Sequence, residues 1–166
     1  LMHTPFLLEL LIACGERHIH RAVDTSGYGK IADLLAVAEQ TELFLFDLKL
    51  MDANRHKEFT GVDNRLILAN LRALATSGAQ LEIRVPLIAG INDDHQNLEQ
   101  LAAFVAGLPG ERPKINLLPF HNVAANKYRK LGQVYDVAGM TAPGGESLRQ
   151  AAEICAGHGL TATVGG

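Results

Sequence analysis

Asp24, Asp47, Lys49, Arg84 and His121 are the residues of this chain whose types and spacing invite chemistry. Each falls in or just past a short apolar stretch: Asp24 with Thr25 and Ser26 after residues 20–23, Asp47 and Lys49 at the close of Leu43-Phe44-Leu45-Phe46, Arg84 within residues 80–87, and His121 after Leu117-Leu118-Pro119-Phe120. In parallel α/β folds, ligands gather at the carboxyl ends of strands. Two acids, two bases and an imidazole on one rim suit a zwitterionic, partly anionic small molecule. Lys49 and Arg84 can pair with carboxylate or ribose oxygens. Asp24 and Asp47 can accept from an ammonium or hold a cation. His121 offers a donor, an acceptor and a flat face for a heterocycle. Taken singly, each is as well explained by solvation or capping, and Asp24 suits a plain turn. Recurrence at four successive stretches is what points to a shared site.

The elements that must position these groups follow from hydrophobic periodicity. Residues 5–17 form a helix with Phe6, Leu7, Leu10, Leu11 and Cys14 on one stripe, preceded by Thr4 and opened by Pro5. Further helices fall at 30–39, 64–77, 94–107 and 144–156. Their inward faces are Ile31, Leu34, Leu35 and Ala38; Ile67, Leu71, Leu74 and Ala75; Leu98, Leu101, Ala102 and Val105; Leu148, Ala151, Ala152 and Cys155. Short apolar stretches at 20–25, 43–48, 80–87, 114–119 and 160–164 are strands. Helices alternate with strands throughout, so the class is α/β with a parallel sheet. A closed eight-stranded barrel needs roughly 250 residues. These 166 residues, read as a single domain over 1–166, make at most part of one.

Composition narrows the function classes. The chain is 48% apolar and 20% charged, a globular balance, and its net charge of −3 gives no bulk attraction to nucleic acid or an acidic membrane. No apolar run reaches the ~18 residues of a membrane span. The two cysteines, Cys14 and Cys155, stand far apart in helical stretches and read as small buried hydrophobes rather than a disulfide or a metal-ligand pattern. A reducing cytoplasm is the expected setting.

One ordered series carries a family resemblance: Val23-Asp24-Thr25-Ser26-Gly27-Tyr28, Phe46-Asp47-Leu48-Lys49-Leu50-Met51-Asp52, His56 with Thr60-Gly61 and Asn64, Arg84-Val85-Pro86-Leu87-Ile88 with Gly90-Ile91-Asn92-Asp93, and Leu117-Leu118-Pro119-Phe120-His121. Lys127-Tyr128, Leu131-Gly132, Tyr135 and the Gly165-Gly166 ending extend it. In this order and spacing the chain resembles the pyruvate formate-lyase activating enzyme family. The resemblance implies a radical S-adenosylmethionine (SAM) enzyme on a partial, TIM-like (β/α)6 barrel, of which this chain holds the last four to five strands with their helices. In that family a reduced [4Fe–4S] cluster cleaves SAM to a 5′-deoxyadenosyl radical, which takes a hydrogen atom from a glycine of a glycyl-radical enzyme, the protein partner. By position, Asp24, Thr25, Asp47, Lys49, Arg84 and His121 match residues that line the SAM site. Asp24 and Asp47 match positions that help hold a monovalent cation in some members, and His121 one near the adenine.

The departures are as informative. Iron–sulfur clusters need thiolate ligands, and the family's CxxxCxxC motif is absent from this sequence. The family's Gly-Gly-Glu would fall just before Leu1, so the sequence reads as a piece that starts after it. Gly144-Gly145-Glu146 is no substitute: it opens the last helix, where Glu146 serves the helix dipole. Phe120 and Ala89 stand where tyrosine and proline are common. The expectation is a piece that binds no cluster, binds SAM weakly or not at all, has no catalytic residue of its own and makes no radical alone. It should self-associate through residues 20–25 as an exposed edge, or cover that edge with its first helix. Three other readings compete. One is an orotidine monophosphate decarboxylase-like barrel using Asp47, Lys49 and Asp52. Another is a Schiff-base aldolase using Lys49. The third is a non-catalytic docking fragment.

Overall fold

A computed structural model of the chain describes residues 3–122, 130–132 and 139–165; Lys127, Tyr128, Tyr135 and Gly166 of the family-like series lie outside them. The elements run α1 (Thr4–Gly15), β1 (Ala22–Thr25), α2 (Ile31–Ala38), β2 (Leu43–Asp47), α3 (Ala53–Thr60), α4 (Arg65–Thr76), β3 (Leu81–Leu87), α5 (His95–Ala106), β4 (Lys114–Pro119), α6 (Gly145–Gly157) and β5 (Ala162–Val164). The five strands form one sheet in the order β1-β2-β3-β4-β5, every pair parallel. Parallel neighbours in sequential order, joined by crossovers of one hand, put every crossover helix on the same side of the sheet. The sheet therefore has one covered face and one open face.

Burial along the strands records this alternation. Phe44, Phe46, Ile83, Val85, Leu87, Ile115 and Leu117 are wholly buried under the helices. Removing one such side chain from water is worth about 1.5–3 kcal/mol. Helices α4 and α5 present the inward faces expected of them, with Leu71, Leu74, Leu101 and Val105 at most 1% exposed. Between them the residues alternate outward: Leu45, Asp47, Glu82, Arg84, Pro86, Asn116 and Leu118 are half-buried, and Asp24 is exposed.

Three elements differ from the sequence-based expectation; in α2, Ile31 was expected inward but is 38% exposed at the start of the helix. Helix α3 carries no apolar period. Local hydrogen bonds define it instead: the Asp52 side chain accepts from Asn54 N–H and Arg55 N–H, and Gly61 ends it at φ 84°. In α1, Leu11 is buried and Leu7 and Leu8 pack on the core, whereas Phe6 and Leu10 face outward at 67% and 47% exposure. Among the elements, α2 is the main partner of this helix, and Phe6, Leu10 and Ile12 leave an apolar side of it open. Among the described residues, β1 pairs only with β2 and remains an edge.

Candidate functional site

Strand register brings three of the charged residues together. Asp47 and Arg84 are direct partners across β2 and β3, and Asp24 pairs with Leu45 on β2, the open-face position before Asp47. Arg84 stands in the middle of β3, and its long side chain reaches over β2. Its Nε and Nη2 donate to Asp47 Oδ1 at 3.1 and 2.9 Å, and Nη2 also donates to Asp24 Oδ1 at 2.5 Å. Lys49 Nζ donates to the other oxygen of Asp47, Oδ2, at 3.2 Å. Burial works against the Arg84 charge, but its hydrogen bonds to Asp24 and Asp47 outweigh that and hold its pKa above the ordinary guanidinium value. Two carboxylates and two cations thus form a charge-balanced group on the open face, near the carboxyl ends of β1 and β2.

The remaining candidates sit differently. Thr25, next to Asp24, alternates to the covered side; it is 8% exposed and its Oγ1 accepts from the N–H of Gly27. Gly27 has φ 71°, and a Cβ there would strike the Phe46 ring, so this turn requires glycine. His121 is exposed two residues past β4, and among the described residues no hydrogen bond joins it to the other four. Asp52, part of the decarboxylase-like alternative, is engaged in capping α3. Glu146 lies in the first turn of α6, the dipole position expected of it, and also pairs with Arg149.

Several polar residues around the group were given no role from the sequence, although Asn92 stands in the family-like series. Asn116 is the cross-strand partner of Arg84 on β4 and shares its face. Asn92 and Asn97 both donate to the backbone carbonyl of Lys49, at 3.1 and 3.2 Å. Asn70 donates to the carbonyls of Gly27 and Gly29 in the loop after β1. An asparagine amid an apolar helix face, as Asn70 is, was the available signal.

Among the described residues, no group of three His, Cys, Asp or Glu side chains is placed to hold a metal ion. Cys14 is half-buried on α1. Cys155, 1% exposed on α6, has its thiol pKa pushed up by burial to about 11. A four-iron cluster needs several clustered thiolates, and this donor set does not fit one. Among the described residues, no helix is long and apolar enough to cross a membrane.

A parallel sheet with helices on one side and a polar cluster on the other is built like part of a (β/α) barrel wall. No family model matches the chain. A solved domain of pyruvate-formate lyase-activating enzyme from Bacteroides vulgatus is 38% identical, superposes with a TM-score of 0.85, and is matched over 99% of this chain and 92% of its own length. The trans-4-hydroxy-L-proline dehydratase activating enzyme of Clostridioides difficile is 35% identical over 97% of this chain and 53% of its own length. The choline trimethylamine-lyase activating enzyme of Oleidesulfovibrio alaskensis is 38% identical over 84% and 46%. The chain belongs to the radical SAM family of glycyl-radical enzyme activating enzymes. It spans about half the length of the curated relatives it matches.

Proposed function

We propose that this chain is the SAM-holding rear part of an activase for a glycyl-radical enzyme, its protein partner, and that the group of Asp24, Asp47, Lys49 and Arg84 receives the methionyl end of SAM. The observation that carries this reading is the hydrogen-bonded convergence of those four side chains on the open face of the sheet. A free amino acid carries one ammonium and one carboxylate. Exchanged into a balanced group of two acids and two cations, it replaces one internal pair with two new ones and leaves no charge unmatched. Arg84 and Lys49 then hold the carboxylate, and Asp24 or Asp47 the ammonium. Thr25 fixes the turn beneath Asp24, and His121 waits at the adenine end of the rim.

A monovalent cation between Asp24 and Asp47 belongs to the same proposal. Arg84 Nη2 now serves both carboxylates. A bridging cation therefore competes with Arg84 at Oδ1 of both aspartates and with Lys49 at Oδ2 of Asp47. Bound SAM supplies the deoxyadenosyl group on which the family's hydrogen abstraction depends; this chain contributes binding and orientation. Residues 1–166 act as one folding unit in this reading, inactive as a radical generator without thiolates to hold a cluster.

Titration of the labelled chain with SAM by amide NMR tests the assignment. Expected are saturable shifts at Asp24, Asp47, Lys49 and Arg84, abolished by Arg84→Met. No shift there up to about 10 mM, weaker than the affinity of even a poor small-molecule site, would overturn it.

A further inference from the structure

The sheet ceases to hold the chain before Lys49. Strand β2 ends at Asp47, and its last bond to β3 is from Leu48 N–H to Arg84 C=O. Lys49 is nonetheless the residue that must bring an ammonium to Asp47. Its backbone is gripped instead by two buried side-chain amides. Asn92 and Asn97 are 2% and 3% exposed. Asn92 Nδ2 donates to Lys49 O at 3.1 Å and Pro86 O at 2.6 Å, while its Oδ1 accepts from Ile88 N–H at 2.8 Å. Asn97 Nδ2 donates to Lys49 O at 3.2 Å and Asn92 O at 2.9 Å, while its Oδ1 accepts from Met51 N–H at 2.8 Å.

Each amide thus uses both donors and its oxygen on main-chain groups. A buried amide is costly unless paired, and an apolar residue could not supply these bonds. Asn92 comes from the loop after β3 and Asn97 from α5, so two separate elements converge on one carbonyl. Among the described residues, neither amide hydrogen-bonds to a charged side chain of the group.

We infer that Asn92 and Asn97 are positioning residues for Lys49. They set the backbone from which its side chain meets Asp47, and so hold the charged group in register. Asn70 is the internal comparison. It is buried to 2% and makes the same kind of bonds, but to Gly27 and Gly29 after β1. Its loss costs stability without loosening Lys49.

The test compares Asn92→Ser, Asn97→Ser and Asn70→Ser in the full chain. Brief amine acylation, read by mass spectrometry, gives the labelling rate of Lys49 relative to exposed Lys30, Lys57 and Lys114. The expected result is a rise of about fivefold at Lys49 in the Asn92 and Asn97 variants, the factor matching one lost hydrogen bond, and none in the Asn70 variant, although all three unfold earlier. Unchanged Lys49 labelling in both, or an equal rise with Asn70→Ser, overturns the inference. If Asn97→Ser does not fold, the Lys49 labelling of Asn92→Ser against Asn70→Ser alone decides the inference.

A second arm rests on the proposed SAM site. Asn97→Ser should weaken SAM binding in the native background and have no further effect on Lys49→Met, because it acts through Lys49. An equal weakening in both backgrounds counts against the inference. Failure of the native chain to bind SAM defeats the functional proposal, and the labelling result still decides this one.

Discussion

The two faces of the sheet use the same strands for opposite ends. On the covered face, Phe44, Phe46, Ile83, Val85, Ile115 and Leu117 are wholly buried among apolar neighbours. On the open face, one residue further along, Asp24 is largely exposed while Asp47 and Arg84 are mostly buried, at 20% and 21% exposure, and the three are tied to each other across three strands. The first face holds stability in dispersion and dehydration, which hardly depend on angle or partner. The second holds charge in directed bonds that a ligand can exchange. Exposed ion pairs contribute little to folding, and in a partly buried one desolvation offsets most of the attraction, so the open face is poised for recognition at small cost to the fold.

That contrast is easiest to break with paired truncations. Phe46→Ala should destabilise by about 3–5 kcal/mol in urea unfolding, through lost transfer energy and the cavity left behind. Leu45→Ala, its neighbour on the open face, should cost about 1 kcal/mol. Equal losses would refute the two-face description. Gly27→Ala comes next, at about 2 kcal/mol, because the new Cβ meets the Phe46 ring in a left-handed turn. A neutral result would show that the loop after β1 can re-form.

Arg84→Met sharpens the comparison from the other side. It should lower stability by only about 1 kcal/mol while abolishing ligand-induced shifts at Asp24 and Asp47. A large loss of stability would make Arg84 a structural keystone instead.

Smaller still is a pH effect at the entrance to β1 and β2. Hydrogen bonds from Arg21, foremost its side chain, hold the Glu42 carboxyl at about 2 against an ordinary 4.5. A depressed folded-state pKa contributes stability that is complete above the unfolded value and is lost as pH falls through the folded one. Thermal melts should therefore decline between those two pH values, and Glu42→Gln should flatten that limb slightly. The least effect concerns the thiols: at neutral pH an alkylating reagent should modify half-buried Cys14 and spare Cys155, whose thiol is buried and held at about 11.

Much of the architecture was legible from residue order. Strand and helix periods are local, and burial at Leu98, Leu101, Ala102 and Val105 or at Ile67, Leu71 and Leu74 matches what their spacing implied. The charged types at Asp24, Asp47, Lys49 and Arg84 were equally visible. Helix α3 was not, because its face is polar and only Asp52 and Gly61 mark its ends. Phe6 and Leu10 were assigned inward because periodicity registers an apolar stripe without saying what will cover it.

By itself, then, the sequence determined the alternation of helices and strands, the apolar face of the sheet and the inventory of charges. Tertiary structure decided that Arg84 spans β2 to serve two aspartates, that Thr25 turns beneath its loop, and that buried amides from distant segments secure Lys49. The reason is one of range. A hydrophobic period is complete within a few residues, whereas a hydrogen bond between Asn97 and Lys49 exists only once register and crossover have brought separate elements together.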